Sequence, residues 1–441
     1  MLRALQEAGV RIDVVAGHGI GAATAMLTAI DGGPKLWDEG GLWLSPRASR
    51  YYQWRTPLRV AARLLVLLSV VFAIPVIVLA FGAALYAVGF LLTLAGVGAG
   101  TSLVTMVSTR TADAFAGPGL PTLVPRLVML VVLAIALVAA GALLPTRSFR
   151  EGMDRTASGR WWWQLTSSPL DMAPLRSAVT RRIWDLVRGA AATTRPTDTA
   201  VSRRYSELLS ENIGQPGCRE LLVAVTDLDA RRDIVGALLS GSFREKFFAS
   251  QPGRERGAEV LDLAGSGRDL IVDLLGAALT PSIGAEAHPV ALPGDGYWRG
   301  ETHRGCDRPG ILARLLAELD VAQVVQVIVV SAAAPPAAPH SLRAPSLDPR
   351  ARLGEFFAAS EGASLEDAVG AARGQFDSLY VICPAHNPVG PFDLAGAYDE
   401  GSDRRRALGE LQQQGYHDAY QQFIDPVVGA SGEHLARPVL T

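Results

Sequence analysis

Lysine is nearly absent from this chain of 441 residues: Lys35 and Lys246 are the only two, and arginine carries the remaining basic charge. Basic and acidic residues almost cancel, 41 against 43, so no overall field favours a polyanion and nucleic acid is excluded as an expected partner. Cysteine is also scarce. Cys218, Cys306 and Cys383 are odd in number and far apart, which forms neither a disulfide framework nor a zinc-binding pattern. No metal site and no cofactor is expected from the sequence.

The most telling absence is local. No charged residue occurs from Leu64 to Thr109, and Leu127–Leu144 is an unbroken apolar run. At 1.5 Å per residue the second run spans about 27 Å, close to the thickness of a bilayer core. Neither run lies at the N-terminus, so neither reads as a cleavable signal peptide. The first is too long for one upright span. Two crossings are expected, near Leu64–Ala84 and Leu127–Leu144, with Leu85–Val107 partly in the interface.

Arg47, Arg50, Arg55, Arg59 and Arg63 precede this insert, and Arg147, Arg150, Arg155 and Arg160 follow it. Positive-inside logic then places the globular part on the cytoplasmic face of the inner membrane. The partners implied are membrane lipids and the bilayer itself. Trp161–Trp163 suits an aromatic anchor at headgroup level. Leu175–Val187 reads as an amphipathic helix, packed on the domain or lying on the membrane. Ala190–Ser202 reads as a linker.

Outside the insert, strand-like runs (Leu221–Thr226, Val324–Val330, Ser378–Cys383) alternate with helical patterns (Arg268–Leu279, Pro309–Leu319, Leu353–Arg373). Such alternation predicts an α/β domain with a parallel or mixed sheet between helices. Gly409–Phe423 reads as a polar helix packed on it.

The N-terminal segment carries the sharpest motif. Ile12–Ala16 reads as a buried strand that runs into Gly17-His18-Gly19-Ile20-Gly21 and then a helix. This is the strand–turn–helix layout of a nucleophile elbow, G-x-S-x-G, with Gly19 where the serine belongs. Gly17-x-Gly19-x-x-Ala22 also satisfies a dinucleotide fingerprint. That reading requires a second strand ending in an acid about 20 residues on, where Asp31-Gly32-Gly33-Pro34 stands instead.

Leu2–Val10 followed by Ile12–Gly17 resembles the opening of patatin-like phospholipases. Leu222–Asp229 resembles the strand block of that family, and Gly294–Gly300 resembles its second catalytic block. The resemblance covers roughly Met1–Leu44 and Ser202–Ser331. It implies a patatin-like α/β fold interrupted by a transmembrane insert: 1–50 as the N-terminal part, without the first strand and oxyanion loop of the family; 59–146 as the insert; 147–200 as a juxtamembrane segment and linker; 201–335 as the remainder of the domain; and 336–441 as a section completing or flanking it.

The family activity implied is acyl hydrolysis by a Ser–Asp dyad. At the dyad this chain departs from the family. Gly19 has no nucleophile, and Arg299 falls where the Asp belongs, with Asp295 as an alternative carboxylate four residues upstream. His18, beside the nucleophile position, is expected to point away from it, and Glu301, His303 and Cys306 read as loop residues.

The expected function is therefore a membrane-anchored protein of lipid metabolism whose acyl-hydrolase site is inactive and kept for lipid binding or regulation. An active lipid acyl hydrolase with other catalytic residues, or a structural membrane anchor, are the alternatives.

Overall fold

The computed structural model describes residues 1–143, 168–249, 256–333, 348–392, 394, 397–399 and 404–429. The chain forms two compact units, one of residues 1–53 and 170–441 and one of residues 54–169. Both ends of the second unit therefore join the same folded unit. Trp161–Trp163 lies outside the described residues.

The first unit is built on a mixed sheet. Helix α1 (Leu2–Glu7) precedes strand β1 (Val14–Gly17), which turns directly into α2 (Gly19–Ala29). After the second unit, which holds α3 (Thr56–Leu94), α4 (Ala99–Phe115) and α5 (Leu120–Leu143), come α6 (Ala173–Val187) and α7 (Asp198–Asn212). Strands β2 (Glu220–Asp227), β3 (Arg232–Leu238) and β4 (Ala258–Asp262) follow, then α8 (Ile271–Ala278), β5 (His288–Ala291) and β6 (Thr302–Cys306). The order across the sheet is β4-β3-β2-β6-β5, and β1 also pairs with β2. Neighbours β1/β2 and β3/β4 are parallel, while β2/β3, β2/β6 and β5/β6 are antiparallel.

β2 is central, and its composition shows why. Glu220–Asp227 is buried along nearly its whole length, as a strand covered on both faces must be. Its register sets up the site: β1 pairs with its first half, Glu220–Val223, and β6 only with Thr226 and Asp227. β1 and β6 thus meet β2 at different levels.

Helix α9 (Ile311–Val321), strand β7 (Gln326–Val330), helix α10 (Pro349–Ala372) and strand β8 (Ser378–Ile382) complete the domain, and β7 pairs in parallel with β8. Helix α11 (Leu408–Ala419) continues as a wider π-helix, Tyr420–Val428. One core contains Met26, Ile183, Tyr205, Val223 and Leu274, uniting α2, α6, α7, β2 and α8. A second joins Leu222 and Val235 to Leu316, Val327 and Val369 on the opposite side.

Two local expectations change. The linker expected over Ala190–Ser202 gives way at Asp198 to α7, capped by the Thr197 side chain, whose oxygen accepts from Ala200 N–H. Its Val201, Ser202, Tyr205 and Leu209 are buried. Leu175–Val187 is a packed helix, burying Leu175, Val179, Ile183 and Trp184 in the first core.

Residues 56–143 of the second unit are mainly helical. Helix α3 (Thr56–Leu94) has 39 residues and continues through Pro75, giving a length of about 58 Å. Helix α4 (Ala99–Phe115) returns antiparallel along it, and α5 (Leu120–Leu143) follows. Glycines permit close approach: a Cβ on Gly82 would meet Thr111 Oγ1 at 2.8 Å, and one on Gly100 would meet Thr93 N at 2.5 Å. The uncharged run is thus one long helix and the start of a second, where a span ending near Ala84 was expected. α3, and residues Leu120–Val138 of α5, are long and apolar enough to cross a membrane.

Candidate functional site

The strand–turn–helix at Ile12–Ala29 forms as its glycines dictate. A Cβ on Gly17 would lie 2.4 Å from the Gly21 carbonyl oxygen and 2.8 Å from the Ala22 nitrogen, so only glycine lets β1 pass this close under the first turn of α2. Gly19 takes φ +51°, in the left-handed region that glycine tolerates. The helix begins there with no side chain capping it. Its first backbone N–H groups lack intrahelical partners and carry the positive end of the helix dipole.

Gly19 faces a carboxylate. A Cβ at Gly19 would stand 2.6 Å from Oδ2 of Asp307, at the C-terminal end of β6. The carboxylate occupies the space that a side chain at position 19 would fill. The Asp307 backbone is held by its own N–H, which donates to Thr280 O at 2.7 Å. His18 Nδ1 lies 3.2 Å from Asp307 Oδ1, and both side chains are about four-fifths buried. His18 therefore turns toward Asp307, against the expectation that it points away. Burial pulls the His18 pKa down, but the hydrogen bond and charge of Asp307, with Glu361 adding, hold it above the ordinary histidine value.

Glu361, on α10, completes the cluster. Donor atoms of His18, Asp307 and Glu361 lie within 4.8 Å of one another. Burial pushes the Glu361 carboxyl up, His18 opposes and Asp307 adds to it. Tyr52 sits nearby, its hydroxyl donating to Leu279 O at 3.1 Å, and burial, with the Asp307 charge, raises its pKa. The cluster opens on a cavity of about 2200 Å³ within the first unit, with Leu312, Leu316, Phe357 and Leu365 in its wall.

The other residues singled out in the sequence lie elsewhere. Asp295 and Arg299 are exposed in the connection between β5 and β6, and neither lines the cavity. Arg299 adopts φ +42° in that turn. The carboxylate opposite Gly19 is Asp307, eight residues beyond Arg299. Glu301, His303 and Cys306 form no open centre. His303 is buried between Asp227 Oδ2, at 2.5 Å from Nδ1, and Glu301 Oε2, at 3.3 Å from Nε2. Burial raises the Cys306 thiol to about 11, too high for a nucleophile near neutrality. The dinucleotide alternative fails on topology, since β1 pairs with the distant strand Glu220–Asp227 and not with a strand following α2.

Asp307 had a signal of its own. Cys306-Asp307-Arg308-Pro309-Gly310 is a polar residue at a strand end followed by a Pro/Gly turn and a helix, the same layout as the elbow it faces. Comparison of the chain with protein-family models, with curated proteins and with solved structures finds no match.

Proposed function

We propose that this is a membrane-anchored, patatin-like protein of lipid metabolism whose acyl-hydrolase site lacks its nucleophile and is retained for lipid binding or regulation. The observation that carries the reading is the facing of Gly19 and Asp307. An elbow glycine at positive φ, with a carboxylate 2.6 Å from where its Cβ would stand, pairs an acid with the nucleophile position of a Ser–Asp dyad, the carboxylate lying in the space a serine side chain would fill. Without the hydroxyl no acyl-enzyme can form at that position. The uncapped start of α2 suits an anionic headgroup once the charges of Asp307 and Glu361 beside it are balanced, and the leucines of the cavity wall suit acyl chains. The apolar helices α3 and α5 support anchorage in a bilayer.

The test uses the full chain in detergent. Native mass spectrometry is expected to detect bound anionic phospholipid, with no release of fatty acid from added lipid. Gly21 has open space around its Cβ position, so Gly21→Asp adds a negative charge to the first turn of α2 without disturbing packing. It is expected to weaken binding of anionic but not neutral lipid. Unchanged binding in Gly21→Asp contradicts the headgroup position. Fatty-acid release that disappears in His18→Gln favours the active hydrolase instead.

A further inference from the structure

We propose that His18, Asp307 and Glu361 form a binding site for one divalent transition-metal cation, open toward the cavity. The inference shares Asp307 and the start of α2 with the lipid reading, but its test is made without lipid. The three donors come from three elements remote in sequence: the β1–α2 turn, the end of β6 and the middle of α10. One imidazole and two carboxylates form the mixed nitrogen and oxygen set that suits Zn²⁺, Mn²⁺ or Fe²⁺ better than the all-oxygen sets of Ca²⁺ and Mg²⁺.

Charge points the same way. A bound metal takes the imidazole in its neutral form, and the two carboxylates then match the two charges of the ion. Arg308, which follows Asp307, is committed elsewhere: it donates to Asp233 from Nε at 3.1 Å and from Nη2 at 2.7 Å. Glu361 accepts no hydrogen bond among the described residues, although it is half-buried and shares its space with Asp307. A partly desolvated carboxylate facing another carboxylate is costly unless a cation or a proton lies between them. The N-terminus of α2 offsets about half an elementary charge, well short of two.

The geometry needs little change. Metal–ligand distances of about 2.0–2.2 Å place donor atoms roughly 3–4 Å apart, against the 4.8 Å limit seen here. Closing the difference needs a shift of about 1–2 Å between donor atoms. Three protein ligands leave at least one position for water or an anion from the cavity, as in metal sites that act on a ligand and unlike closed structural sites.

The experiment titrates Co²⁺ and Zn²⁺ into the full chain, stripped of metal with a chelator and held in detergent. Binding is read by the visible bands of Co²⁺ and by calorimetry. One equivalent is expected, with affinity at least ten-fold lower in Glu361→Gln and lower still in Asp307→Asn/Glu361→Gln. Asp295→Asn, remote from the cluster, is expected to bind as the unaltered chain does. Melting temperatures check that the variants fold. Should Glu361→Gln fail this check, Glu361→Asp, which keeps the charge and shortens the reach, is expected to bind more weakly than the unaltered chain. Absence of Co²⁺ bands, or equal affinity in a folded Glu361 variant, overturns the proposal.

Discussion

Replacing Gly17 and Gly21 separately with alanine applies one chemical change at the two ends of the turn, and opposite effects are expected. At Gly17 the new methyl group meets backbone: 2.4 Å from Gly21 O, 2.6 Å from Gly21 C and 2.8 Å from Ala22 N. Backbone cannot rotate aside, so α2 must move off β1 by roughly 1 Å to restore ordinary contact, and overpacking of this kind costs about 1–3 kcal/mol or more. The displaced helix carries Ala22, Ala23 and Met26, all fully buried, so the shift loosens the core behind it. At Gly21 a Cβ meets nothing within 4 Å, and alanine in place of a helical glycine stabilises by about 0.5–1 kcal/mol. The two variants should therefore differ by about 2–4 kcal/mol, with Tm shifting about 2–4 °C per kcal/mol for a domain of this size. Thermal melting followed by tryptophan fluorescence reads the difference, since Trp37 and Trp43 pack against the core that holds α2. Equal melting temperatures, or a more stable Gly17→Ala, would refute the close approach of strand and helix.

Two further perturbations test how the site is supported. Tyr205 is fully buried and its hydroxyl donates to Met26 O at 2.7 Å, tying α7 to α2. Tyr205→Phe is expected to cost about 1–2 kcal/mol, read by the same melts. Burial alone would lower the pKa of His303, but its hydrogen bonds to Asp227 and Glu301, with the Asp227 and Asp229 charges, hold it above the ordinary value. A raised histidine pKa stabilises the fold fully below the unfolded value of about 6.5, and that stabilisation is lost as pH rises through the folded value. The Tm difference between the unaltered protein and His303→Gln should therefore shrink from about pH 6 toward pH 9. A constant difference would show that the His303–Asp227 pair does not titrate in this way.

Much of the architecture was legible because it rests on short-range patterns. The expected strands at Leu221–Thr226, Val324–Val330 and Ser378–Cys383 all exist, and the helices expected at Arg268, Pro309 and Leu353 lie within a few residues of their predicted bounds. α7 was hidden because Thr197 and Asp198, which start it, also read as linker composition. β3 was missed although most of Arg232–Leu238 is buried, since its run is short and broken by Gly236. The first uncharged run does not break at Pro75, because a proline in a helix removes only one backbone donor and its kink can be absorbed. In the site, the elbow was readable from local spacing. The turn after Cys306 has its own local signal, but the facing of Asp307 and Gly19 has none, because it depends on β1 and β6 reaching one edge of β2 at different levels, a relation between residues nearly 300 apart. Asp295 and Arg299 stand in an exposed turn, and the carboxylate that faces Gly19 is one strand further on.

The most direct measurement of the central claim is labelling of Gly19→Ser by a fluorophosphonate, which reacts with serines activated as nucleophiles. The left-handed conformation costs a serine about 1–2 kcal/mol, and the Asp307 carboxylate, as the end of a side chain, can swing back to receive the hydroxyl proton. The account predicts no labelling of the unaltered protein, labelling of Gly19→Ser at position 19, and loss of that labelling in Gly19→Ser/Asp307→Asn. Labelling of the unaltered protein at another serine of the cavity, or labelling of Gly19→Ser that is indifferent to Asp307, would contradict it.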